Sequence, residues 1–263
     1  MPQPPIATTI DEVIEQLDKI IADAVRQRSR LGLFAALYRI VTVTVKEGIA
    51  AGRFEDGPRM ERFDVTFANR YLAALEQFQC GVQPAGCWRF AFETAATWPP
   101  LILQQLLLGM NAHINFDLGI AAAETCPGDQ LPGLRHDFDE INAILAGLVG
   151  AVQSDVDKLS PWIRFLGHID PKASTAIVNF SMDKARTCAW GVAERLAPLG
   201  QAEWQPHLDR LDLAITALAQ LVRTPIGVRP RIWLWIIRLR ENNDVAHVVE
   251  VLNRMPVASG KRH

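Results

Sequence analysis

Several patterns that would identify a compartment or a cofactor are missing from this 263-residue sequence. Its four cysteines include no Cys-x-x-Cys pair, and none lies at a zinc-finger spacing from a histidine. The opening stretch MPQPPIATTIDEVIEQ lacks the basic segment and apolar run of a secretory signal. No apolar run approaches the roughly 20 residues that a membrane span needs. We therefore expect a cytoplasmic protein with free thiols and no integral membrane span.

The sequence also lacks an excess of charge of one sign. Its formal net charge is -2 and its pI is about 6.3, so no strong field attracts nucleic acid or an anionic membrane. Gly-x-Ser-x-Gly, phosphate-binding glycine loops and Glu-x-x-His are absent as well. We therefore do not expect nucleic acid as a partner, nor a serine hydrolase, a nucleotide-binding protein or a ferritin-like di-iron protein. The sequence does not indicate an oligomeric state.

What the sequence does contain is helical periodicity throughout. Apolar residues recur at helical spacing behind start signals such as Thr9, Pro100 and Pro206. The β-branched segment RIVTVTV is compatible with a strand, but no partner strand is evident, so we favour a helix. We predict an all-α fold, a single-domain bundle of about ten helices over residues 1–256 with a flexible tail at 257–263. A central apolar helix is expected at 100–124.

The predicted central helix carries charged side chains in the segment PPLILQQLLLGMNAHINFDLGIAAAE. A helix that is apolar on every side belongs inside a bundle. On a regular helix, His113, Asp117 and Glu124 fall on one strip, and the first two are four residues apart. We therefore expect His113 and Asp117 to point inward and to touch.

Two other predicted helices place a carboxylate among apolar residues. Asp64 lies within the aromatic stripe of the third helix, and Asp137 shares a face with apolar residues of the helix after the CPGDQLPG loop. Because a buried carboxylate must be paired, hydrogen-bonded, metal-bound or protonated, we predict one divalent metal, iron, manganese or zinc. Its ligands would be His113, Asp117, Asp64 and Asp137, with the first two acting in catalysis.

The surroundings of this predicted site are aromatic. Phe67, Tyr71 and Trp88 would line an apolar pocket, which predicts an apolar or lipid-like small molecule as substrate. A metal-dependent enzyme of the hydrolase or oxygenase type is one interpretation. Two alternatives stay open: a protein that binds an apolar ligand without chemistry, and a buried polar network that only stabilises the fold.

The segments LYRIVTVTV, FDVTFANRYL, ILQQLLLGMNAHINFDLGIAAA, DFDEIN, KARTCAW and IRLRENNDVAHVV resemble an uncharacterised family, domain of unknown function 5995. The resemblance spans nearly the whole chain, and MNAHINFDLGIAAA is its most specific part. It implies no activity. It implies only that certain residues lie in recurring motifs, and among them we expect Arg70, Asn115 and Asn142 to contact a ligand.

Overall fold

The protein consists of helices packed around one central helix. The computed structural model describes residues 7–97, 101–142, 144–145, 182–224 and 244–253. These residues form nine helices and no strand, which confirms the all-α prediction. The helices are α1 (Ile10–Gln27), α2 (Leu31–Ala50), α3 (Gly57–Gln79), α4 (Gly86–Ala96), α5 (Ile102–Thr125), α6 (131–142), α7 (Met182–Leu196), α8 (Gln205–Arg223) and α9 (Val245–Asn253).

The first helices begin and continue for local reasons that the sequence contains. Thr9 caps α1 by accepting a hydrogen bond from the Glu12 N–H at 3.2 Å. The RIVTVTV segment lies in α2, so the helix prediction is confirmed. There the hydroxyls of Thr42 and Thr44 donate to the carbonyls four residues earlier, Tyr38 and Ile40. These bonds satisfy buried threonines inside a helix that their branching alone disfavours.

Helix α5 is the centre of the bundle, as predicted for 100–124. It contacts α2, α3, α4, α7 and α8. Gly119 permits the closest approach, because a Cβ there would lie 2.3 Å from the Ala189 carbonyl oxygen of α7. By length and composition α5 is also the one described helix that could cross a membrane, but 89% of its apolar window is buried by protein. Its apolar surface therefore serves as the core of the bundle.

Later parts of the prediction are only partly within the described residues. The sequence signals for helix starts include Pro206 and Asn243, and helices are present there as α8 and α9. Pro171 and Pro230 are two further start signals, but the helices predicted there and the tail predicted at 257–263 lie outside the described residues. The domain boundaries remain predictions.

Candidate functional site

The centre of α5 is a wider helical turn that the sequence analysis did not anticipate. Asn111–Asp117, 7 residues, is a π-helix between two α-helical segments. Such π-turns are rare and occur frequently at functional sites. The extra residue per hydrogen-bonded ring changes the angular spacing of the side chains in this part of α5. His113 Nδ1 lies 3.7 Å from Asp117 Oδ2, which is too long for a hydrogen bond.

Asp117 is bound by donors from two other helices. Arg70 Nε of α3 donates to Oδ1 at 2.9 Å, and Trp88 Nε1 of α4 donates to Oδ2 at 2.7 Å. Arg70 also reaches Glu124 Oε1 at 3.2 Å with Nη1. Each oxygen of this buried carboxylate thus has a partner, and the contacts join α3, α4 and α5. His113 and Asp117 point inward and touch, as predicted, but the hydrogen bonds to the carboxylate come from Arg70 and Trp88.

Asp137 is fully bonded in the same way, at another place in the bundle. Its carboxylate accepts from the backbone N–H of Glu55 at 2.7 Å and of Asp56 at 3.2 Å. Arg59 Nη2 donates to it at 2.8 Å. Burial opposes ionisation, but the bonds from Arg59 and the two N–H groups outweigh it and lower the pKa of Asp137. Asp137 therefore attaches α6 to the start of α3.

His113, in contrast, lies inside a group of aromatic rings. Phe67 stacks on the imidazole with ring centroids 3.6 Å apart, and the edge contact with Tyr38 is at 4.4 Å. Further rings lie at 5.5–6.3 Å. The rings come from α2, α3 and α4 and are all buried. We call the set the His113 cage; its members are Phe34, Tyr38, Phe67, Tyr71, Trp88 and His113.

Polar atoms in and beside the cage have no hydrogen-bond partner among the described residues. They are both ring nitrogens of His113, the hydroxyls of Tyr38 and Tyr71, and Oδ2 of Asp64. Asp64 is close enough to Tyr38 to raise the pKa of its hydroxyl, although burial contributes more. A buried polar atom without a partner costs on the order of 1–3 kcal/mol, so several together are unusual in a folded interior.

Burial raises the pKa of Asp64 and lowers the pKa of His113. Burial, with a smaller contribution from Glu61, raises the pKa of Asp64 to about 7. Burial also lowers the pKa of His113, and this outweighs the opposing effect of Asp117. At neutral pH the imidazole is therefore uncharged, and Asp64 is divided between its acid and its carboxylate. The pKa values of Tyr38 and Tyr71 are raised as well, so both hydroxyls keep their protons.

The predicted metal ligands do not form one site. Among the described residues, the one group with three potential ligand atoms within 4.8 Å of one another is Glu55, His136 and Asp137. His113, Asp117 and Asp64 are not part of it. Glu55 and His136 are exposed, and Arg59 already donates to Asp137, which opposes a cation there. The structure does not bring the four predicted ligands into one group, because two of the carboxylates are bound by donors from distant parts of the chain. A metal bound by this protein stays a prediction.

The remaining predicted ligand contacts are divided between regions. Phe67, Tyr71 and Trp88 lie in the cage around His113, and their contact with a ligand stays a prediction. Asn115 donates to Asn111, which in turn bonds the Ile215 carbonyl of α8, so Asn115 belongs to a helix contact instead. Asn142 is half-buried on α6, and its Oδ1 has no partner among the described residues.

Two members of the cage, Phe34 and Tyr38 of α2, were not predicted from the sequence. Their signal was present, since aromatic residues four apart on an apolar helix face the same way. The uncertain strand or helix assignment of the neighbouring RIVTVTV segment obscured it. His136, His207 and His247 have polar or turn-like sequence surroundings that predict surface positions, and all three are exposed.

Comparison with known proteins identifies a family and no activity. The sequence profile described as "Family of unknown function (DUF5995)" matches residues 10–225. No curated protein and no solved structure is significantly similar to the chain. The matched range includes the π-turn, the cage and both bonded carboxylates.

Proposed function

This chain belongs to the DUF5995 family, whose function is unknown, so we infer that function from the site. We propose that the His113 cage binds a small, largely apolar molecule that carries one polar group. The observation that carries this proposal is the set of unpartnered polar atoms of His113, Tyr38, Tyr71 and Asp64. A ligand that donates or accepts hydrogen bonds there would remove their desolvation cost. The hydrogen bonds between the ligand and these atoms would add to the binding energy, because the protein alone does not form them.

The chemistry of the cage limits the class of ligand. Aromatic faces and edges dominate, and Phe67 already stacks on the imidazole at 3.6 Å. Such walls favour an aromatic or aliphatic body over a charged one. The neutral His113 offers one donor and one acceptor, and each tyrosine hydroxyl can do both. We therefore expect a hydroxyl, carbonyl or similar uncharged polar group on the ligand.

A second candidate function, acid–base catalysis on that ligand, is favoured by the pKa values of Asp64 and His113. A pKa of about 7 makes Asp64 a group that can both give and accept a proton near neutral pH. His113 remains a neutral base in the cage. The metal-dependent hydrolase or oxygenase expected from the sequence has less support, since Asp117 and Asp137 already bind other groups.

The proposal is tested by comparing two aromatic probes, 1-naphthol and naphthalene, which differ by one hydroxyl. Isothermal titration calorimetry should show that wild type binds 1-naphthol more tightly. In Tyr38→Phe and His113→Leu this preference should fall by about 5–10-fold, the effect of one hydrogen bond. Thr44→Val is the matched control, because it removes a buried hydroxyl from α2 outside the cage.

Two results would contradict the proposal. One is that neither probe binds and that native mass spectrometry of protein isolated from cells shows no bound small molecule. The other is that the preference for 1-naphthol is equal in wild type and in both cage variants.

Catalysis is tested separately with Asp64→Asn. This variant should abolish any reaction while preserving binding, because the amide keeps the shape and cannot transfer the proton.

A further inference from the structure

A concave surface lies between α7 and α8, formed by residues other than those of the cage. Its volume is about 410 Å³, within the range of small-molecule sites. Leu196, Leu208 and Leu211 form an apolar floor, and Arg195, His207 and Arg210 lie around it. We call this surface the α7–α8 groove, defined by these six residues.

The two arginines of the groove have no ion-pair or hydrogen-bond partner within the described parts of the chain. Both are exposed and project from separate helices, Arg195 from the last turn of α7 and Arg210 from α8. Arginine binds carboxylate, sulfate and phosphate groups through a planar fork of N–H donors. The groove therefore combines an apolar floor with cations that are available to an anion.

The nearby carboxylates among the described residues accept hydrogen bonds from other groups and form no ion pair with Arg195 or Arg210. Asp212 of α8 accepts from the backbone N–H of Gly86 at 2.6 Å and of Cys87 at 2.8 Å, where it caps α4. Three more carboxylates near the groove accept hydrogen bonds from their own segments at 2.8–2.9 Å: Glu194 from Trp190, Glu203 from Gly200 and Asp209 from Gln205. Arg195 and Arg210 therefore remain available to an external anion.

We propose that the α7–α8 groove binds a small amphiphilic anion, a carboxylate with a short aliphatic body. The carboxylate would lie between Arg195 and Arg210, and the aliphatic part would cover Leu196, Leu208 and Leu211. Charge complementarity selects the head group, and the apolar floor selects the body. An uncharged molecule of the same shape gains only the second contribution.

The test uses octanoate and its uncharged analogue 1-octanol as probes in isothermal titration calorimetry with the full chain. Octanoate should bind wild type with one saturable site and more tightly than 1-octanol. In the double variant Arg195→Gln/Arg210→Gln, octanoate should bind about 10-fold more weakly, while 1-octanol is unchanged. The control Arg26→Gln/Arg89→Gln removes the same charge from exposed positions on α1 and α4 and should bind as wild type does.

The variants separate the groove from the cage and from general electrostatics. Both arginine pairs are exposed, so the melting temperature of each double variant should stay near that of wild type. His113→Leu should bind octanoate as wild type does. The proposal is overturned if wild type does not bind octanoate, if the two arginine double variants weaken binding equally, or if His113→Leu abolishes it.

Discussion

Two neighbours on one turn of α5, Asp117 and His113, have opposite surroundings. Both side chains are buried, with 1% and 2% of their surface exposed. Asp117 receives Arg70 and Trp88, one on each oxygen. His113 has five aromatic neighbours and no hydrogen bond at either nitrogen from the described residues. The interior thus contains one polar group that the fold satisfies and, 3.7 Å away, one that it does not.

This difference indicates what each group does. Native interiors satisfy nearly all buried polar atoms, so a satisfied carboxylate such as Asp117 or Asp137 needs no explanation beyond stability. An unsatisfied group lowers the stability of the fold and persists where something outside the protein uses it. The buried carboxylates Asp117 and Asp137 therefore stabilise the fold. The functional candidates are the groups with unpartnered polar atoms: His113, Tyr38, Tyr71 and Asp64.

The largest effect that should separate the two regions comes from Asp117→Asn. The amide has one oxygen, so its NH2 group must face either Arg70 or Trp88, and the guanidinium also loses charge compensation. We expect the free energy of unfolding in urea to fall by on the order of 3 kcal/mol. Asp18 forms a half-exposed ion pair with Arg39. In Asp18→Asn the free energy of unfolding should therefore fall by less than about 1 kcal/mol. Equal losses in the two variants would contradict the structural role of Asp117.

The next effect concerns Asp64 and should appear as a dependence of stability on pH. Its pKa is about 7 in the folded protein and 3.8 ordinarily, so between these values the folded chain holds a proton that the unfolded chain has released. Stability from this group is therefore complete below about pH 4 and is lost as the pH rises to 7. Asp64→Asn should remove that decline.

The expected gain of Asp64→Asn over wild type is on the order of 3 kcal/mol at pH 8 and near zero at pH 4. Urea unfolding at a series of pH values measures it, with Asp18→Asn as a variant that should retain the wild-type decline. A parallel shift of the Asp64→Asn curve at every pH would mean that Asp64 is not held in its protonated form.

A smaller effect of the same kind is expected for His113→Leu. Leucine replaces two unpartnered nitrogens by apolar atoms, so the unfolding free energy at pH 7 should rise by about 1 kcal/mol or stay constant. The advantage should grow toward pH 5, because the lowered pKa of His113 means that protonation favours the unfolded chain there. The matched substitution Phe67→Leu on the stacked ring should instead cost about 1–3 kcal/mol. A larger loss for His113→Leu than for Phe67→Leu would show a hidden structural partner of His113.

The smallest effect is that of a chelator. Since Asp117 and Asp137 bind arginines and N–H donors, treatment with EDTA should leave the melting temperature of wild type unchanged, as it should for His136→Ala. The His136→Ala variant lacks one potential metal ligand of the group Glu55, His136 and Asp137. A chelator-dependent drop confined to wild type would establish a metal at that group, and a drop in both proteins would place one elsewhere.

Much of the fold could be predicted because its signals are local. Caps such as Thr9 and Asp56 and the apolar spacing behind them lie within a few residues of the helices they start. The same periodicity correctly turned Asp64, His113, Asp117 and Asp137 inward, since all four are buried. It also predicted the contact between His113 and Asp117, but it could not predict the π-turn between them or the donors that bind Asp117.

The sequence by itself determined that this chain is helical, that α5 is its core and that four charged or titratable side chains face inward. Only the tertiary structure decided which of them are satisfied. Arg70 and Trp88 reach Asp117 from 47 and 29 residues away, and Arg59 reaches Asp137 from 78. Periodicity gives the direction of a side chain, whereas its partner depends on how separate helices pack and on their relative rotation. For that reason the same inward direction led Asp117 to an arginine and His113 to a cage of rings.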